Sequence, residues 1–158
     1  MQDILSNYSI FFKNLILWII LQFIVACIIS FLPDSLFNPH GWPYKIRKWE
    51  KDGKIYKELF KVKNWKNKLP VGKPFNKNDI DLREFKSKKL SYINKYMITS
   101  CKSEAVHIFS IFSMFIFFIF HNLPIAITIM LSALLINLPF IIILRYNRHR
   151  ILKLKNRF

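Results

Sequence analysis

Three apolar runs, Leu15 to Leu32, Ala105 to Phe120 and Ile125 to Leu144, decide what this chain can fold into. About 20 apolar residues in a helix cross the hydrocarbon core of a bilayer. The first and third runs reach that length. The second is 16 residues long, and Ser100, Cys101 and the residues from Lys102 on extend it. The expectation is an all-α membrane protein, one membrane domain over 1–158. Its spans fall at about 15–32, 102–120 and 125–144, with an interfacial loop at 33–101 and a basic tail at 145–158. Ile24-Val25-Ala26-Cys27 looks like a lipoprotein cleavage site. However, only one base precedes it, and Ile28 and Ile29 continue the run, so the first segment reads as a retained span.

Charge is distributed as sharply as hydropathy. Of a net +16, residues 1–32 contribute nothing, and residues 105–144 contain no Asp, Glu, Lys or Arg. Residues 33–104 hold 18 Lys plus Arg against 8 Asp plus Glu, and the tail from Arg145 holds six bases and no acid. Three spans put the loop and tail on one side, and the positive-inside rule makes that side cytoplasmic. The chain therefore reads as a multi-pass cell-membrane protein with an outward N-terminus. His121-Asn122-Leu123-Pro124 is a tight outward turn. A basic surface beside a bilayer attracts anionic membrane lipid. Nucleic acid is not the expected partner, because the bases flank spans and no recognition motif accompanies them. Cys27 and Cys101 form no CxxC pair, so neither a disulfide framework nor a zinc site is expected.

The loop is too aromatic for a linker. Trp42, Tyr44, Trp49, Tyr56, Phe60 and Trp65, interleaved with lysines, suit an interfacial surface with rings at headgroup depth. Trp49, Asp52, Tyr56 and Phe60 recur near helical spacing, which predicts an amphipathic helix over Trp49–Lys61, with Gly53 arguing against it. Leu69 to Pro74 is rich in turn residues. A second interfacial helix is predicted from Asp79, capped by Asn78, with Leu82, Phe85, Leu90, Ile93 and Met97 as its stripe.

Glu104 and His107 stand at the mouth of the second span, three residues apart and so on one helical face. Ionisable groups there are functional candidates, and an imidazole oriented by a carboxylate makes a general base near neutral pH. The competing reading is solvation at the interface, or pairing of Glu104 with Lys102 or a tail arginine. One ExxH resembles half of a di-iron site, but the second ExxH and further glutamates are missing, so no metal or cofactor is expected. Arg145, Arg148 and Arg150 carry forks that suit phosphate or carboxylate, or they simply stop translocation. Asn137, in mid-span before Pro139, reads as a packing residue. There is no glycine-rich phosphate loop, GxSxG elbow, HEXXH or HxxxxD.

Trp49-Glu50-Lys51-Asp52-Gly53-Lys54-Ile55-Tyr56 leads to Phe60, Val62 and Trp65-Lys66-Asn67-Lys68-Leu69-Pro70-Val71-Gly72. Glu104-Ala105-Val106-His107, Asn137-Leu138-Pro139 and Arg145-Tyr146-Asn147-Arg148-His149-Arg150 follow. In order and spacing, from about Pro33 to Leu152, this resembles the glycosyl-4,4'-diaponeurosporenoate acyltransferases of staphyloxanthin synthesis. The segments at Trp65 and Arg145 are specific together. His149 departs from the proline common in the family.

The resemblance implies a membrane acyltransferase that moves a fatty acyl chain to a hydroxyl of a lipid-linked sugar, a glycosylated carotenoid or related glycolipid. It implies an activated donor, whether acyl-CoA, acyl carrier protein or phospholipid. It raises His107 and Glu104 as a catalytic pair. It also raises Lys63, Trp65, Lys66, Tyr146, Asn147, Arg148 and Arg150 as substrate-binding residues. The alternative is a non-enzymatic scaffold or accessory subunit binding anionic lipid, which needs the basic segments but neither Glu104 nor His107.

Overall fold

The computed structural model of the protein describes residues 2–69 and 90–155. Three long helices dominate: α1 (Gln2–Phe31), α4 (Leu90–Ser113) and α6 (Leu123–Lys155). Between the first two lie the short helices α2 (Lys54–Glu58) and α3 (Val62–Trp65), and α5 (Phe117–Phe120) prolongs α4 through a 3₁₀ turn at Met114–Ile116. Among the described residues there is no strand. Three segments are long and apolar enough to cross a membrane: Ile10–Phe31, Ile93–Phe120 and Leu123–Lys153. The protein is an all-α membrane protein.

These segments overrun the apolar runs at the basic end. At 1.5 Å per residue, the 33 residues of α6 extend about 50 Å, beyond the ~30 Å hydrocarbon core. From Arg145 to Lys155 the tail is therefore not a loose end. It is the last turns of the third span, carried out of the apolar layer as helix. At the other end Pro124 occupies the first turn of α6, where its missing N–H costs no hydrogen bond. His121 Nε2 lies 3.0 Å from Asn14 Oδ1 and ties the turn to α1.

Helix α4 lies between the other two. Its Cys101 and Ala105 meet Ile29 of α1 together with Phe37 and Tyr44 of the loop. Ile93, Tyr96 and Met97 pack on Ile151 of α6. Met114 and Phe117 meet Ala133, with Leu17, Trp18 and Leu21 of α1 beside them. Lipid is as apolar as leucine, so helices associate in a bilayer where small residues let backbones approach. Ser100, Cys101, Ala105, Ser110, Ala126 and Ala133 are all buried, whereas Ile19, Phe23, Phe112, Phe115 and Leu135 face outward.

The loop is built differently from its sequence pattern. The predicted helix over Trp49–Lys61 is not one helix. A 3₁₀ segment at Lys48–Gly53 ends in three successive left-handed residues, Lys51 (φ 45°), Asp52 (φ 53°) and Gly53 (φ 82°), and Lys61 (φ 45°) breaks the chain again before α3. The cause is long-range. The reversal turns Glu50 inward, and Gly53 then passes so close to α6 that a Cβ there would lie 3.0 Å from the His149 Cβ. Tyr56 is buried but Trp49 is exposed, so the presumed shared face does not exist. Lys102 fastens the start of the loop through an ion pair of 2.7 Å with Asp34. The predicted turn at 70–74 and the start of the second interfacial helix near Asp79 lie outside the described residues.

Candidate active site

Buried charges survive only when paired and hydrogen-bonded, and one end of the bundle holds a closed set of them. Glu50, from the loop, accepts four hydrogen bonds. Its Oε1 takes Arg47 N and Arg145 Nη1, each at 3.1 Å; its Oε2 takes Tyr56 Oη at 2.9 Å and His149 Nε2 at 2.5 Å. That fills the acceptor capacity of a carboxylate. Burial alone would raise the Glu50 pKa. The bonds from His149, the Arg47 amide and Tyr56, with the Arg145 charge, outweigh it and bring the value down to about 2. Burial and the neighbouring Glu50 carboxylate push the Tyr56 phenol well above its ordinary value.

Glu104, from α4, is the second carboxylate. Arg145 Nε donates to its Oε1 at 2.7 Å, and Arg148 Nη2 donates to its Oε2. Arg145 thus bridges both glutamates, and its Nη2 also donates to the Pro43 carbonyl at 3.1 Å. Arg148 Nη1 lies 2.8 Å from Cys101 Sγ. Loop, α4 and α6 are sewn together by five side chains, Glu50, Glu104, Arg145, Arg148 and His149.

The expected Glu104–His107 pair is therefore not formed. Helical spacing puts both on one side of α4, but α6 supplies two guanidinium groups at the level of Glu104, and they take its oxygens. One turn deeper, His107 Nδ1 lies 2.9 Å from Asn137 Oδ1. Asn137 Nδ2 donates to the Ala133 carbonyl at 2.9 Å, which turns its Oδ1 to the ring. Nδ1 is then the donor, and a neutral imidazole carries its lone pair on Nε2. The ring stacks on Phe140, centroids 4.7 Å apart and planes 8° from parallel. An amide, Asn137, holds the imidazole where a carboxylate was expected.

The expected binding residues fall into two groups. Arg148 is 1% exposed and committed to Glu104 and Cys101, so it belongs to the buried network and not to a substrate surface. Lys63 and Arg150 are exposed, and Trp65, Lys66 and Asn147 are half-buried. Tyr146 is buried against Tyr56, Val62 and Ile142. The Trp65 indole N–H donates to the Phe60 carbonyl at 2.7 Å, and this fixes α3. Sequence reasoning missed Glu50 and Asn137 as polar centres. Glu50 lay inside the segment matched to the family, but nothing local distinguished it from the surrounding loop charges. Among the described residues, no group of three His, Cys, Asp or Glu is placed to hold a metal.

The family model for glycosyl-4,4'-diaponeurosporenoate acyltransferase matches residues 39–157, the part that carries all of these side chains. The glycosyl-4,4'-diaponeurosporenoate acyltransferase of Staphylococcus aureus strain MRSA252 is 32% identical over 139 residues, 87% of this chain and 82% of its own length. Those of strains bovine RF122 / ET3-1 and USA300 are 33% identical over the same shares. No solved structure matches the chain.

Proposed function

Because the chain belongs to the glycosyl-4,4'-diaponeurosporenoate acyltransferase family, we propose that it moves a fatty acyl chain from an activated donor to a hydroxyl of a lipid-linked sugar, with His107 as general base. Its relatives are named for a glycosylated carotenoid carboxylate, and the acceptor here is of that class or a related glycolipid. The observation that carries the assignment is the Asn137 amide. Held by the Ala133 carbonyl, it fixes the His107 tautomer with Nε2 as the basic nitrogen.

In this reading Nε2 takes the proton of the acceptor hydroxyl while that oxygen attacks the donor's acyl carbon. The bond from the acyl carbon to the donor breaks, and the imidazolium returns its proton to the departing group. Transfer is direct in this reading, and Cys101, buried and in contact with Arg148, is not the nucleophile of an acyl-enzyme. Glu104 is a positioning residue: through Arg145 and Arg148 it holds α4 against α6, which sets His107 opposite Asn137. The reaction takes place on the cytoplasmic side, where the basic end lies.

The test is product formation in membranes, read by lipid extraction and mass spectrometry and normalised to inserted protein. His107→Ala is expected to insert normally and to lose roughly 10²-fold or more in turnover. Asn137→Ala keeps the base but frees its tautomer, so its loss is smaller. Near wild-type turnover in His107→Ala sinks the assignment.

A further inference from the structure

Two cations share one aromatic ring at the basic end. Lys66 Nζ lies 5.5 Å and Arg150 Cζ 5.8 Å from the centroid of Tyr146, both within cation–π reach. Lys63 stands one turn before Lys66. Burial, then the charges of Arg150 and Lys63, push Lys66 below the usual lysine range. Among the described residues no carboxylate lies within ion-pair distance of any of the three. Glu50 and Glu104 are spent on Arg145, Arg148 and His149, and Asp34 on Lys102.

Like charges on a free surface spread apart. These are held together by their backbones. Val62 is fully buried against Ile142 and Tyr146, and Trp65 is bonded to the Phe60 carbonyl, so α3 cannot carry its lysines away from α6. A guanidinium fork and ammonium groups with no carboxylate of the described residues in ion-pair reach suit a phosphate oxyanion.

We propose that Lys66 and Arg150, gathered at the ring of Tyr146 with Lys63 one turn before Lys66, form a phosphate-binding subsite, filled by the phosphate of a carrier-borne acyl thioester. The subsite stands on the geometry above, whereas the choice of a carrier thioester rests on the acyl-transfer reading. Tyr146 follows Asn137 by nine residues, about two and a half turns and about 13 Å of rise. The subsite therefore lies up the helix from the His107–Asn137 pair and around its far side. In a phospholipid the acyl ester is only a few bonds from the phosphate and does not bridge that interval. In coenzyme A or an acyl carrier protein, a long pantetheine arm separates the thioester from the phosphate.

The test uses the full chain in phosphatidylcholine nanodiscs, with coenzyme A titrated by calorimetry. A second set of nanodiscs contains phosphatidylglycerol, whose retention by the purified protein is measured. The variant is Lys66→Gln with Arg150→Gln, checked for helix content; Arg150→Lys serves as a milder change. We expect the double variant to bind coenzyme A about tenfold or more weakly, the scale of a lost charged hydrogen bond. Arg150→Lys should lie between, and wild-type affinity should fall as salt rises. If only phosphatidylglycerol retention depends on the two residues, the subsite stands and the carrier-borne donor falls. If neither ligand distinguishes the double variant from wild type, the subsite is overturned. His107→Ala should bind coenzyme A as wild type does, so a failed base assignment and a failed subsite give different results.

Discussion

Glu104 shows how much one residue's role depends on what packs opposite it. Its spacing to His107 suggested an orienting carboxylate, but its oxygens meet Arg145 and Arg148 in a place closed to solvent. Removing one partner of a buried pair leaves the other charge uncompensated, at a cost of about 3–5 kcal/mol. Glu104→Gln keeps the volume and strips the charge, leaving Arg148 with Cys101 and a neutral amide. It should therefore lower the unfolding midpoint in detergent at least as much as it lowers turnover per folded molecule. His107→Ala should do the opposite, costing turnover and little stability. Equal stability of Glu104→Gln and wild type would remove the residue from the scaffold and reopen a direct role beside the imidazole.

Among the elements, the long helices were legible where each contains a run of apolar residues with no competing pattern, and their extension through polar residues at the basic end was not. Nor was the interfacial segment. Its left-handed residues at 51–53 follow from Glu50 meeting Arg145 and His149, 95 and 99 positions away in sequence, and no local period reports such a contact. Asn137 was invisible for the same reason: mid-span asparagine has many uses, and only the position of the His107 ring selects one. The tail arginines were expected to act together on phosphate or carboxylate, but the structure divides them, Arg148 inward and Arg150 outward. The Glu50 anchor gives this segment an acid-sensitive clasp. A carboxyl lowered from its ordinary 4.5 to about 2 on folding stabilises the folded state above pH 4.5. That contribution is lost as pH falls from 4.5 towards 2. Glu50→Gln should therefore flatten the fall in thermal midpoint across this window. Far-UV circular dichroism in detergent over that pH range is the measurement, and parallel curves for the two proteins would contradict the clasp.

For the whole molecule, the membrane sees one apolar bundle with its excess charge at a single end. The described part of the loop, the charge network and the last turns of α6 all lie at the end opposite the 121–124 turn. Insertion disfavours moving a dense set of lysines and arginines across the bilayer, so that end should be cytoplasmic. Labelling tests this directly once the native thiols are removed. Cys27→Ala and Cys101→Ser are the suitable replacements, the second because a hydroxyl still accepts a bond from Arg148. On that background, Lys86→Cys and Lys155→Cys in intact cells should react with a membrane-permeant maleimide and resist an impermeant one. Asn122→Cys, in the opposite turn, should react with both. Labelling of position 86 or 155 by the impermeant reagent would invert the protein in the membrane. It would place the phosphate subsite and His107 on the side where cytoplasmic acyl carriers are absent, and the carrier-borne donor would fail with it.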